Sequence, residues 1–259
     1  RGGHSGVEID KGLGNASMLL GRVLNACSLE TDLRLVSVRG GLKDNAIPRE
    51  ATAVLSAADA AVMQTVCARL DSELKSEYHT TDSEVFVSVS MTGSGLPMDA
   101  DTTARVLTFL TCAPNGIQVM SADMPGLVQT SLNLGVLTTA ETELQASFCV
   151  RSSVESQKQM LVERLTRLTK MLNGTISVSG DYSGWAFRPD SPLRELLTEV
   201  FTEQYGYAPK VEAIHAGVEC GIFAGKLPGL DCISLGPDLT EIHTCREKMH
   251  IASVQRLWT

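Results

Sequence analysis

The chain's 259 residues, 43% hydrophobic and 20% charged, suffice for one large domain or two small ones built around real cores. Its 22 Lys and Arg are scattered among 30 Asp and Glu, for a net charge of -8, which argues against a nucleic-acid partner, because phosphate binding needs clustered cations. No apolar run approaches the roughly 20 residues of a membrane span and nothing resembles a signal peptide, so a cytoplasmic protein acting on a small molecule or peptide is expected.

Elements follow in order. Leu20, Val23, Leu24 and Cys27 sit at helical spacing and predict an amphipathic helix over about 13 to 28. Gly12-Leu13-Gly14-Asn15 before it reads as a helix start, since a dinucleotide turn would need a third glycine and a preceding strand. Leu33 to Val38 and Ala51 to Leu55 read as strands, with Asn45-Ala46-Ile47-Pro48-Arg49 as a turn between them. Val62, Val66, Leu70 and Leu74 return to a helical stripe, and Val85, Val87, Val89 and Met91 alternate as a strand. After the break Gly93-Ser94-Gly95-Leu96-Pro97 the order recurs: a helix near 100 to 112, paired strands near 128 to 139 and 142 to 150, a helix carrying Leu161, Leu165, Leu168 and Leu172, and a strand at 175 to 179. We read two diverged copies of one αββαβ unit, an α+β domain with an antiparallel sheet and helices on one face, over residues 1–179.

The character changes from Gly180. Ser191-Pro192 is an N-cap and first-turn pair ahead of the stripe Leu193, Leu196, Leu197 and Val200. Val211 to Ile214 and Cys232 to Leu235 are short apolar runs, each followed by a loop with glycine and histidine, a place where α/β sheets put their chemistry. Residues 180–259 are expected to form an incomplete α/β segment. The chain opens at Arg1-Gly2-Gly3-His4 and stops at Leu257-Trp258-Thr259 without start or cap, so both ends are expected to be cuts in a longer protein.

Seven cysteines without a Cys-x-x-Cys pair read as reduced core thiols. No two of the five histidines stand in a metal-binding pattern. His79 and His250 read as loop and structural residues, whereas His4, His215 and His243 lie in glycine-containing or turn-rich contexts where a side chain can face a cleft. Arg151, at a strand end, is either a surface cation or a planar fork able to hold a carboxylate.

Together these fragments resemble a family. Arg1-Gly2-Gly3-His4-Ser5-Gly6, Gly12-Leu13-Gly14-Asn15-Ala16, Asn45-Ala46-Ile47-Pro48-Arg49-Glu50-Ala51, Val150-Arg151-Ser152, Ile214-His215-Ala216-Gly217-Val218-Glu219-Cys220-Gly221 and Ser234-Leu235-Gly236-Pro237 with His243 run in the order of bacterial Xaa-His dipeptidases, within the co-catalytic zinc aminopeptidases and aminoacylases. The resemblance implies a lid domain over residues 1–179 and the C-terminal part of a zinc-peptidase catalytic domain over 180–259. It implies His4 as the lid histidine that stabilises the oxyanion, Asn45 and Arg151 as substrate holders, Gly217 as a close backbone contact and His243 as a zinc ligand. Two zinc ions are implied per parent active site, absent or incomplete in this chain, with the other ligands and a catalytic Glu in a missing N-terminal half. A dipeptide substrate and a possible homodimer follow. Thr244-Cys245-Arg246-Glu247 departs from the family's Ser-Pro-Asp-Glu. The alternatives are a related zinc amidohydrolase (aminoacylase or deacylase), which a substrate panel separates, and a non-catalytic peptide-binding or interaction module, which dipeptide titration with and without zinc separates.

Overall fold

The computed structural model describes residues 1–91, 93, 95–215, 217–241 and 246–258, and the chain divides into two compact units. The first comprises Arg1–Phe187 with Glu212–Gly217, and the second Arg188–Val211 with Val218–Thr259.

The first unit is mixed α+β. A two-residue strand β1 (Gly3–His4) precedes helix α1 (Ala16–Glu30), whose first turn is capped by Asn15 accepting from the Met18 amide. Strands β2 (Leu33–Gly40), β3 (Ala46–Ile47) and β4 (Ala51–Ala57) lead to α2 (Ala60–Tyr78), capped by Asp59. Then come α3 (Ala100–Cys112), capped by Asp99, strands β5 (Gly116–Met120), β6 (Val128–Thr139) and β7 (Leu144–Ser152), and α4 (Glu155–Met171).

All pairing is antiparallel. β4 pairs with β2, and β1 with β3 in a separate small ladder. β6 pairs with β7 along its length on one edge; on the other it meets β5 at its start, through Val128 to Leu132, and β2 near its end, at Leu137 and Thr138. Leu134, Leu137, Leu35 and Val38 pack with Val23, Leu24 and Cys27 of α1, Met63, Val66, Leu70 and Leu74 of α2 and Leu110 of α3. Leu132 packs instead on Leu161 and Leu165 of α4. Each such leucine, fully buried, contributes roughly 1.5–3 kcal/mol of transfer free energy.

The expected closing strand of each copy does not form. Val85 and Val87 pack on the core, but the Val87 amide donates to the Asp71 carboxylate of α2 at 2.8 Å rather than to a neighbouring strand. Residues 175–179 likewise carry no ladder. Alternation made both look like strands, yet a strand exists only by pairing. Among the cysteines, Cys27 and Cys67 are buried as expected, and burial first, then the neighbouring Cys67 thiol, pushes Cys27 up to about 12. Cys112 is exposed.

The second unit holds α5 (Pro192–Tyr205), α6 (Glu219–Lys226), strands β8 (Leu239–Thr240) and β9 (Lys248–Met249), and α7 (Ile251–Trp258). Ser191 caps α5 with Pro192 in its first turn, as its sequence predicts. The Asp231 carboxylate accepts from Ser191 Oγ at 2.7 Å and from the Leu193 amide at 2.9 Å. The runs at Val211 and Cys232 form no strand.

Candidate functional site

Side chains alternate across a strand, so the residues of β6 between its core leucines face away from the helices. These are Ser131 and Asn133, both buried. Arg151 of β7 stands directly opposite Ser131 and shares its face.

A gap in the sheet gives Asn133 its task. Between Leu132, where β5 ends its pairing, and Leu137, where β2 begins, one edge of β6 has no strand partner. Buried backbone groups there still need hydrogen bonds, and asparagines supply them. The Leu134 amide donates to Asn115 Oδ1 at 2.8 Å, and its carbonyl accepts from Asn15 Nδ2 at 3.0 Å. Asn15 Nδ2 also reaches Asn133 Oδ1 at 3.0 Å, while Asn133 Nδ2 donates to the carbonyls of Asp44 at 3.1 Å and Ala46 at 2.8 Å. The loop carrying Asn45 is thereby fastened across the gap. It lies so close to the β6 bulge at Gly135 that a Cβ there would overlap the Asp44 backbone.

β1 docks on this loop. His4 pairs with Ala46, and the Ser5 amide donates to the Asn45 carbonyl at 2.9 Å. The turn after His4 then wraps its own imidazole: the amides of Gly6 and Val7 donate to His4 Nδ1 at 3.0 and 3.2 Å. With Nδ1 an acceptor, the ring proton sits on Nε2, and His4 is a neutral donor through that nitrogen.

The segment Glu212–Gly217 returns to this face. His215 Nε2 lies 2.7 Å from Ser131 Oγ. Burial first, then the nearby Arg151 cation, lowers the His215 pKa to about 4 against a backbone hydrogen bond to Val128, so the ring is neutral at physiological pH. Gly217 sits against the Tyr182 ring so closely that a side chain would clash. Arg151 is half-buried, its Nε has no hydrogen-bond partner, and no carboxylate pairs with it among the described residues. An unmatched cation in such surroundings favours an anionic ligand.

The structure thus brings His4, Asn45, Arg151 and Gly217 to one face of the first unit, linked through Ser131 and His215. His243 lies outside the described residues. Among the described residues no group of three His, Cys, Asp or Glu side chains could hold a metal ion, so they do not by themselves fit a zinc pair. Sequence reasoning missed Ser131, Asn133 and Asn115. Their signal was polar residues alternating with Leu132 and Leu134 inside a strand, and Asn115 just ahead of β5.

Comparison with known proteins agrees with the motif order. Residues 1–82 match the family model described as a peptidase dimerisation domain, of the M20 type. The whole chain is 36% identical, over 262 aligned residues, to the cytosol non-specific dipeptidase of Escherichia coli (strain K12), covering 54% of that protein. It also superposes on the crystal structure of aminoacylhistidine dipeptidase from Vibrio alginolyticus with a TM-score of 0.89 at 35% identity, over 100% of this chain and 53% of that one. The chain spans about half the length of the relatives it matches. The resemblance read from its motifs is to these dipeptidases.

Proposed function

We propose that this chain is the lid, over residues 1–179, and the C-terminal catalytic segment, over 180–259, of a cytosolic dipeptidase that hydrolyses peptides with a C-terminal histidine among its substrates. The observation that carries this reading is Arg151: a half-buried guanidinium with an unpartnered Nε, on the sheet face that also bears His4 and the Asn45 loop. A dipeptide's terminal carboxylate matches that fork, and charge-assisted hydrogen bonds of this kind are worth about 1.5–3 kcal/mol each. The His4 Nε2–H is a donor suited to a carbonyl oxygen that gains negative charge during attack. Asn45 and the Gly217 backbone would help seat the substrate. Zinc, if bound in the complete protein, supplies an activated water; His243 is its one matched ligand here, and the rest must come from elsewhere in that protein. The dimerisation-domain match favours a homodimer.

The test is the complete protein assayed on a panel of Xaa-His, other dipeptides and N-acyl amino acids, with zinc added and then chelated. Hydrolysis of Xaa-His dipeptides lost on chelation is expected, and Arg151→Met should raise KM for acid-terminated substrates by roughly 10–100-fold while leaving their C-terminal amides almost unaffected. No dipeptide hydrolysis, activity that survives chelation, or an equal effect of Arg151→Met on acids and amides would overturn the reading.

A further inference from the structure

His215 has no assigned role, yet it joins the sheet to the turn that carries His4. The segment Glu212–Gly217 is pinned to the first unit at two points. At one, His215 Nε2 bonds Ser131 Oγ at 2.7 Å. At the other, Gly217 seats on Tyr182, whose carbonyl accepts from Lys158 Nζ of α4 at 2.8 Å. Lys158 also bonds Asp181 Oδ1 at 2.6 Å, so the 181–182 stretch is held to α4 by a paired cation.

What the segment does at its centre follows from Gly6. The position a Gly6 Cβ would take is 2.6 Å from the His215 carbonyl oxygen, 3.0 Å from His4 Cε1 and 3.2 Å from His4 Nδ1. Gly6 therefore fills the space between the His215 backbone and the His4 ring, with no room for one more methyl group. Its φ is not among the positive values, so nothing in the backbone conformation calls for glycine here; only the close approach does. The same Gly6 donates the shorter of the two hydrogen bonds that fix the His4 tautomer.

We propose that His215 is a positioning residue for His4: the His215–Ser131 bond holds the 212–217 segment on the sheet, and the segment's carbonyl, pressed on Gly6, fixes the turn and with it the direction of the His4 imidazole. This rests on the reading of His4 as a substrate-facing group and deepens it. Gly6→Ala tests the close approach without removing a functional group, and His215→Ala removes the clamp. His215→Gln retains an amide able to meet Ser131 Oγ.

In the complete protein, Gly6→Ala and His215→Ala should each lower kcat for dipeptides by roughly 10–100-fold, the cost of a misplaced group, with KM changed less than about threefold because Arg151 is untouched. His215→Gln should recover most of the loss. Independently of activity, nitrogen NMR of imidazole-labelled protein should show His4 as a single Nε2–H tautomer in the parent and in His215→Gln, and as a tautomer mixture in Gly6→Ala and His215→Ala. An unchanged His4 signature in both of the latter, or failure of His215→Gln to rescue, would overturn the proposal. If the complete protein hydrolyses no dipeptide, the proposed function fails while the NMR comparison still decides the positioning role.

Discussion

At the scale of single residues, the neutral state of His215 has a consequence for stability. Its pKa falls from 6.5 to about 4, first through burial and then through Arg151. A folded-state pKa below the unfolded one means that the unfolded chain binds the proton first, so stability present above pH 6.5 is lost as pH falls towards 4. The lowered carboxylates Glu77 and Glu155, held down first by Arg22 and by Gln159 respectively, have ordinary values of 4.5 and act the same way only below that pH. The window between about 6.5 and 4.5 therefore separates His215 from these carboxylates, and comparison with His215→Gln separates it from the other histidines. Urea unfolding at pH 7, 5.5 and 4.5 should show stability declining across that window in the parent and a flatter profile in His215→Gln. Equal slopes in the two proteins would mean that His215 binds its proton equally in the folded and the unfolded chain.

At the scale of elements, the sequence announced those parts whose pattern is local. Ser191-Pro192 marked α5, helical stripes marked α1, α2 and α4, and β2, β6 and β7 read as strands from their own residues. The two-residue β1 and β3 and the short β5 carry no such pattern, because they exist through partners distant in the chain. The site shows the same division. His4, Asn45 and Arg151 stood out by motif, whereas the asparagines that hold them became visible only once β6 was seen to lack a neighbour along part of one edge. Removing one of them tests that account. Asn133→Leu leaves the Asp44 and Ala46 carbonyls and Asn15 Nδ2 short of a partner, at a cost of about 1–3 kcal/mol each if they stay dry. Urea unfolding should register a loss of at least about 1 kcal/mol, with faster amide exchange concentrated at residues 43–47. A substitution that costs nothing there would show that the asparagines are not what closes the gap.

At the scale of the whole molecule, the two units differ in what holds them. Every fully buried hydrophobic side chain among the described residues belongs to the first unit. The second relies on the Asp231 cap of α5, the cluster of Phe201, Tyr205 and Tyr207, and the Arg256–Asp238 ion pair, and it exposes Leu196, Phe223, Leu235 and Trp258. Exposed ion pairs contribute at most about 1 kcal/mol, and a helix of the length of α5 is marginal without an apolar face packed on something. Amide exchange in Pro192–Tyr205 should therefore be at least about 100-fold faster than in α1 or β6, and a protease at low dose should cut the 188–211 or 218–258 stretches before any site in residues 16–171. The relatives run to about twice this length, and under the proposed reading the further chain of a complete protein would cover those apolar faces. The same α5 amides should then gain protection in the complete protein while those of α1 stay unchanged. Equal protection of α5 in both forms would show that the second unit is stable by itself and that its apolar surface needs no cover.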